Sequence, residues 1–73
     1  MRQPTANALE YFRLARSLTV EGHVSRAVEL YLKALDHEPD FPEALVNLGI
    51  LYNVLNEPVE ALRCLQRAAT ASH

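Results

Sequence analysis

The sequence is poor in the residues on which many classes of protein depend. It has 73 residues, with a single cysteine, two glycines and no tryptophan. One cysteine excludes a disulfide within the chain, and the length is below the roughly 100–150 residues of an ordinary domain, which argues against a two-domain enzyme with a cleft. The longest uncharged apolar stretch, residues 48–52, is far shorter than the roughly 20 residues that cross a bilayer. We therefore expect one small domain over residues 1–73 that does not enter a membrane.

The chain also lacks a large excess of charge of either sign. Seven lysines and arginines stand against nine aspartates and glutamates, a net charge of −2, which provides no general attraction to nucleic acid or to anionic lipid. The first residues lack the apolar core of a signal peptide. With Cys64 as a free thiol, these features favour a cytoplasmic setting and a protein partner, with no nucleic acid and no membrane.

What is present is helical periodicity. Apolar residues recur every third or fourth position from Ala6 to Val20, and similar patterns predict helices from about 24 to 36, from about 42 to 54, and from Pro58 onward. Gly22 and Asn56 are suited to left-handed turns between helices, and Asp40 is expected to cap the third helix. No segment alternates at period two. The predicted fold class is all-α.

The helix pairs repeat along the chain. A shift of 34 residues superimposes Leu14 on Leu48, Val20 on Val54, Ala27 on Ala61 and Ala34 on Ala68, with Gly22 on Asn56 at the turn. The small residues fall where two helices must approach closely, and the turn formers fall between helices. This arrangement predicts two copies of one helical hairpin.

The pattern resembles the tetratricopeptide repeat, which reads W-x-x-L-G-x-x-Y, then A-x-x-x-F, then A and P. The matching positions are Tyr11, Leu14, Ala15, Leu18, Ala27, Tyr31, Ala34 and Pro39 in the first unit and Leu45, Leu48, Gly49, Tyr52, Ala61, Leu65 and Ala68 in the second. Leucine replaces the tryptophan and phenylalanine of the pattern in the second unit, and Leu18 stands where tyrosine is preferred. The RNA-reading pentatricopeptide repeat is similar, but the net negative charge argues against it.

The resemblance implies two antiparallel helix-turn-helix hairpins, residues 8–41 and 42–73, stacked as a fragment of a right-handed α-solenoid. The core contacts between helices are then expected at Leu14, Leu48, Ala27 and Ala61. Tyr31 is expected to bridge the hairpins, with its ring buried and its hydroxyl near water.

In proteins similar to this one, the first helix of each unit lines a concave groove that binds a peptide. Carried onto this chain, the predicted groove residues are Phe12, Arg13, Arg16, Val46, Asn47, Ile50 and Asn53. The arginines suit a carboxylate, the asparagines suit a peptide backbone, and the apolar side chains add contact area, so an extended or acidic peptide is the expected ligand. Solvated arginines and a structural Asn47 are the alternative. Of the lysine, asparagine and arginine clamp that some relatives use for a terminal carboxylate, Asn47 alone matches, so that activity is not predicted.

Self-assembly is the second functional hypothesis. No third unit follows in the sequence to cover the fourth helix at Leu62, Leu65 and Ala69, the equivalents of Val28, Tyr31 and Leu35. A second copy could cover this face, either end to end or by exchange of a hairpin across residues 39–42, giving a homodimer or larger homo-oligomer.

Catalytic and metal-binding apparatus is not expected. Asp36, Glu38 and Asp40 alternate as calcium ligands do, but Pro39 interrupts them and no glycine follows at loop spacing. The histidines are scattered, and Cys64 has no histidine nearby in the sequence, so a buried small thiol is favoured over a nucleophile. We predict a non-enzymatic module with no catalytic residue, no metal and no cofactor.

Overall fold

The computed structural model describes residues 4–71, and helices account for nearly all of them. The elements are α1 (Ala6–Val20), α2 (Val24–His37), α3 (Pro42–Val54) and α4 (Pro58–Ala71). The all-α prediction is confirmed, and α2 extends one residue beyond the predicted end. Contacts are most extensive within the pairs α1–α2 and α3–α4, and α2 packs on α3 to join the two hairpins. Within residues 4–71, no helix is long and apolar enough to cross a membrane.

The turn between α1 and α2 and the turn between α3 and α4 have the same pattern of hydrogen bonds. Gly22, with φ of 87°, donates its N–H to the carbonyl of Thr19, and His23 donates to that of Leu18. Asn56 has φ of 62°, and the bonds recur 34 residues later, from Asn56 to Asn53 and from Glu57 to Tyr52. Left-handed backbone is what glycine and asparagine tolerate best, so both turn predictions are confirmed.

The third helix does not begin as predicted. Asp40 is exposed, and the capping position is occupied by Phe41, which has an extended backbone and makes no side-chain capping bond. The residue before a proline is disfavoured in helical conformation, so Pro42 starts the helix and keeps Phe41 extended. The Phe41 ring is buried 4.9 Å from that of Phe12. Burial of this ring therefore helps to anchor the loop, together with a hydrogen bond from Arg67 to the carbonyl of Pro39, and Asp40 does not act as a cap.

Small residues allow the helices to pack closely. Ala27 and Ala61 are buried as predicted, and a Cβ added at Gly49 would lie 3.2 Å from Cγ of Leu65. Leu48 is also confirmed as a core residue, with 1% of its surface exposed. Its equivalent, Leu14, is 50% exposed, so the prediction of a core role for Leu14 is wrong. Leu48 lies on α3, which packs against both α2 and α4, whereas α2 is the one described helix that packs extensively against α1.

Candidate functional site

A shallow trough lies between α1 and α3. One depression of about 590 Å³ is lined by Phe12, Arg16, Pro42, Glu43, Val46 and Asn47. A neighbouring depression of about 220 Å³ is lined by Arg16, Thr19, Val20, Tyr31, Asn47, Ile50 and Leu51. Arg16 and Asn47 belong to both, so the two depressions form one surface, called the trough below.

The trough brings together most of the predicted groove residues. Arg16, Val46, Asn47 and Ile50 line it with their side chains. Phe12 also lines it but is only 8% exposed, because its ring packs against Phe41 and, edge-on, against Tyr31. Phe12 is therefore mainly a core residue that forms the floor of the trough.

Two predicted groove residues lie outside the trough. Arg13 is exposed and lines a separate depression of about 440 Å³ with Arg16, Ser17, Val20 and Glu21, all on or next to α1. Asn53 is exposed and lines none of these depressions. Arg16 and Val20 line both this depression and the smaller depression of the trough, so Arg13 lies beside the trough and could share a ligand with it.

The positive charge of the trough is accessible. The guanidinium of Arg16 lies over the Phe12 ring, 5.6 Å from its centroid, a cation–π arrangement that orients the side chain. Among residues 4–71, no carboxylate lies within ion-pair distance of Arg16. Glu43 lines the same depression at the start of α3. A ligand carboxylate would therefore meet Arg16 at the side of the trough formed by α1.

Asn47 is hydrogen-bonded to Tyr31, a residue that the sequence analysis placed at the junction between the hairpins. Its side-chain nitrogen donates a hydrogen bond to the hydroxyl of Tyr31 over 3.2 Å. Tyr31 is 1% exposed, which confirms the buried ring, and its hydroxyl lies at the floor of the smaller depression beside the half-buried Asn47. Because Tyr31 lies on α2, spacing along α1 and α3 gave no sign that it also lines the trough.

The trough becomes apolar toward the inter-helix turns. Ile50 and Val54 on α3 and Val20 on α1 are all exposed there. Val20 and Ile50 line the smaller depression, while Val54 lies one helical turn beyond Ile50. The surface therefore combines a charged region near Arg16 with an aliphatic region near Ile50.

A second exposed apolar surface, called the α4 face below, comprises Val59, Leu62, Leu65 and Ala69. Leu62 is 57% exposed and Leu65 39%. Part of the Leu65 side chain is covered within its own hairpin, because it packs against Gly49 of α3. Val59, which was not predicted, is also exposed.

Cys64 is the remaining candidate nucleophile among the described residues. Cys64 is a free, buried thiol, and burial raises its pKa, an effect that Arg67 opposes and Glu60 reinforces. A raised pKa leaves less of the nucleophilic thiolate at neutral pH. Within residues 4–71, no three His, Cys, Asp or Glu side chains are grouped so as to hold a metal ion.

Comparison with known proteins agrees with this helical-hairpin architecture. The sequence profile described as tetratricopeptide repeat matches residues 18–72, more than half of the chain. The chain therefore belongs to the tetratricopeptide repeat family. Repeats of this family mediate protein–protein interactions, and their fold is a non-catalytic one.

Two curated relatives are much longer than this chain. It is 37% identical over 71 residues to a probable biofilm formation methyltransferase, WspC, of Pseudomonas putida, covering 97% of this chain and 17% of that protein. It is 36% identical over 44 residues to the BBSome complex member BBS4 of Bos taurus, covering 60% of this chain and 8% of that protein. The chain thus spans less than a fifth of the length of either relative.

Proposed function

We propose that this chain is a non-enzymatic interaction module whose trough binds an extended, acidic segment of a partner protein. The observation that carries the proposal is that Arg16 and Asn47 line both depressions between α1 and α3. A cation and an amide thus stand side by side on one continuous surface with aliphatic side chains at its end. This is the combination that an extended peptide with an acidic side chain requires.

The charges favour a carboxylate ligand over nucleic acid. Arg13 and Arg16 are exposed on neighbouring parts of α1 and can form charge-assisted hydrogen bonds. The chain as a whole carries a net charge of −2, which provides no general attraction to a phosphate backbone. A local positive region on a mildly acidic protein suits a short acidic motif.

Helix geometry sets the spacing of that motif. Seven residues separate Asn47 from Val54 on α3, which is about 10 Å at the helical rise per residue. An extended peptide covers this distance in about three residues. The expected ligand therefore pairs its backbone with Asn47, has an acidic side chain at the neighbouring Arg16, and has an aliphatic side chain about three residues further along, near Val54.

A blocked synthetic octapeptide tests this proposal. It has one serine at each end and, between them, two adjacent glutamates, a two-serine spacer and two leucines. This acidic octapeptide is titrated into the isotopically labelled chain, and binding is followed by NMR. One control peptide has lysines for the glutamates, and another has serines for the leucines. Shifts are expected along α1 and α3 with the acidic octapeptide, and weaker binding with either control.

Two variants connect binding to the trough. Arg16→Ala is expected to weaken binding about fivefold, the size of one exposed charge pair. The matched control is Arg26→Ala, which removes an exposed arginine of α2 that does not line the trough. Equal losses in both variants, or equal binding of the glutamate and lysine peptides, would contradict the proposal.

Self-assembly is the second candidate, and one observation favours it. Leu62 on α4 and Leu14 on α1 are both about half exposed. Leu62 is the repeat equivalent of Val28 on α2, and Leu14 is the repeat equivalent of Leu48 on α3. Within the chain, α2 and α3 pack together. Docking α1 of a second copy onto the α4 face would thus reproduce the junction that already exists inside the chain.

Sedimentation at increasing protein concentration tests this alternative. If copies dock end to end, Leu62→Glu and Leu14→Glu each lower the average mass, since each places a charge at one side of the contact. Leu32→Glu is the control, because Leu32 is comparably exposed on α2 and is not part of either surface. A wild-type chain that remains monomeric at high micromolar concentration would exclude self-assembly.

A further inference from the structure

One hydrogen bond connects the two hairpins beneath the trough. Nδ2 of Asn47, on α3, lies 3.2 Å from the hydroxyl of Tyr31, on α2. Both residues line the smaller depression. The bond therefore lies in the interface between the hairpins and also at the surface that a ligand can reach.

The Tyr31 side of this bond is rigid. Its ring is almost completely buried and packs edge-on against Phe12, with centroids 5.8 Å apart. A buried aromatic ring with two side-chain torsions loses its freedom when packed, so the hydroxyl is a fixed point in the floor of the trough. Asn47, by contrast, is half-buried and would otherwise be free to rotate its amide.

Donation to Tyr31 leaves part of the Asn47 amide available. The side chain has one carbonyl oxygen and two N–H groups, and the hydroxyl occupies one of those N–H groups. The oxygen and the second N–H remain for a ligand, and these are the groups that pair with the N–H and C=O of an extended peptide.

We propose that Tyr31 is a positioning residue that holds the Asn47 amide in the orientation that receives a peptide backbone. This inference rests on the peptide-binding function proposed above. Its physical basis is preorganisation: an amide that is already oriented loses less conformational freedom when a ligand binds. Tyr31 itself contributes no direct contact in this role.

Neither residue of this pair recurs at its equivalent position in the other hairpin. Leu65 is the equivalent of Tyr31, and it has no hydroxyl and packs against Gly49. Arg13 is the equivalent of Asn47 and lies outside the trough. Within this chain, the amide and hydroxyl therefore occur together at the α2–α3 junction alone among the described residues.

The test is Tyr31→Phe, which keeps the ring and removes the hydroxyl. A measurement without ligand comes first: the motion of the Asn47 side-chain NH2 group by ¹⁵N relaxation, with the exposed Asn53 amide as internal reference. We expect Asn47 to be more ordered than Asn53 in the wild-type chain and to approach Asn53 in Tyr31→Phe. A wild-type Asn47 amide as mobile as that of Asn53 would overturn the proposal.

Binding of the acidic octapeptide is the second measurement. Tyr31→Phe is expected to raise the Kd severalfold, and Asn47→Ala at least as much. The double variant should bind no more weakly than Asn47→Ala alone, because the hydroxyl acts only through the amide. Asn53→Ala should bind like the wild-type chain. Additive losses, or an unchanged Kd in Tyr31→Phe, would overturn the proposal.

The two measurements separate this inference from the proposed function. If the wild-type chain does not bind the octapeptide, the proposed function fails. Ordering of Asn47 that depends on the Tyr31 hydroxyl would then still support positioning of the amide. If the octapeptide binds and Tyr31→Phe changes neither the Kd nor the motion of Asn47, the function stands and the inference fails.

Discussion

The second helices of the two hairpins occupy equivalent positions in the repeat but have different surroundings. On α2, Tyr31 and Leu35 are buried, because α3 packs against this helix. On α4, the equivalent Leu65 and Ala69 are exposed, and no described segment covers them. The same positions of one pattern therefore produce a buried junction in one hairpin and an open apolar surface in the other.

This difference shows how burial arises in a repeat architecture. Each hairpin supplies half of an interface, and the other half comes from the neighbouring unit. The first helices follow the same rule, since Leu48 is buried at the junction while Leu14 is half exposed. The stabilising contribution of a repeat position therefore depends on which unit it belongs to.

The largest effect is expected for truncation of Leu48. Leu48→Ala should lower the free energy of unfolding by about 2–5 kcal/mol, because it leaves a cavity at the junction between hairpins. Leu14→Ala, at the equivalent position, should cost only about 1 kcal/mol or less, because half of that side chain already contacts water. Urea denaturation of both variants measures the difference. Equal losses would show that the two positions are packed alike.

Native-state hydrogen exchange compares the two second helices directly. The backbone amide of Ala68 on α4 is expected to exchange at least about tenfold faster than that of Ala34 on α2, since α2 packs extensively against two described helices and α4 against one. Both alanines are buried and follow a basic residue, so their intrinsic exchange chemistry is matched. Equal protection would indicate that the chain unfolds as one cooperative unit or that another copy covers the α4 face.

Smaller effects are expected at the turns, where the hairpins are alike. Gly22→Ala should destabilise the chain by about 1 kcal/mol, the cost of a side chain in left-handed backbone. An added Cβ at Gly22 meets no atom within 4 Å, so this cost is conformational. Asn56→Gly should be neutral or slightly stabilising, and Asn56→Ala should cost about as much as Gly22→Ala. Thermal melts of these variants check the comparison.

The smallest effect concerns alkaline pH and is specific to the second hairpin. Burial raises the pKa of the Cys64 thiol above its usual value of 9.0, and burial also raises that of Tyr52 above 10.0. The folded chain therefore keeps these protons to higher pH than the unfolded chain. The associated stability is complete below about pH 9 and is lost as the pH rises through the folded pKa values.

Stability measured against pH in Cys64→Ala tests the contribution of the thiol, which includes its own titration and its effect on the pKa of Tyr52. This variant should lose stability less steeply than the wild-type chain above about pH 9, whatever the cost of the truncation itself. Leu30, the equivalent of Cys64 on α2, carries no ionisable group, so the first hairpin has no counterpart to this effect. An unchanged slope in Cys64→Ala would show that the thiol is not responsible.

Sequence reasoning was most successful where the cause is local. The helices and their order follow from apolar spacing, and both left-handed turns follow from Gly22 and Asn56, because each depends on a few neighbouring residues. It failed at the third helix, where Asp40 looked like a cap and Phe41 was overlooked. An aromatic residue directly before Pro42 was the available signal, since such a residue is extended and can turn its ring into the core.

The candidate site was predictable only in part. The repeat resemblance selected Arg16, Val46, Asn47 and Ile50, and the structure brings these side chains to one surface. The resemblance gave no indication that Arg13 lies beside the trough or that Phe12 forms the floor of the trough. It also did not indicate that the hydroxyl of Tyr31 bonds to Asn47. Those features depend on how far α3 lies from α1 and on the side chains that fill the space between them.

By itself, the amino-acid sequence determined that this chain forms paired helices with a period of 34 residues, because helical spacing and turn residues act over short range. Only the tertiary structure decided which copies of each repeat position are covered, and that the hydroxyl of Tyr31 reaches Asn47. The physical reason is that burial and side-chain hydrogen bonds require two surfaces, and the second surface comes from an element that is distant in the sequence.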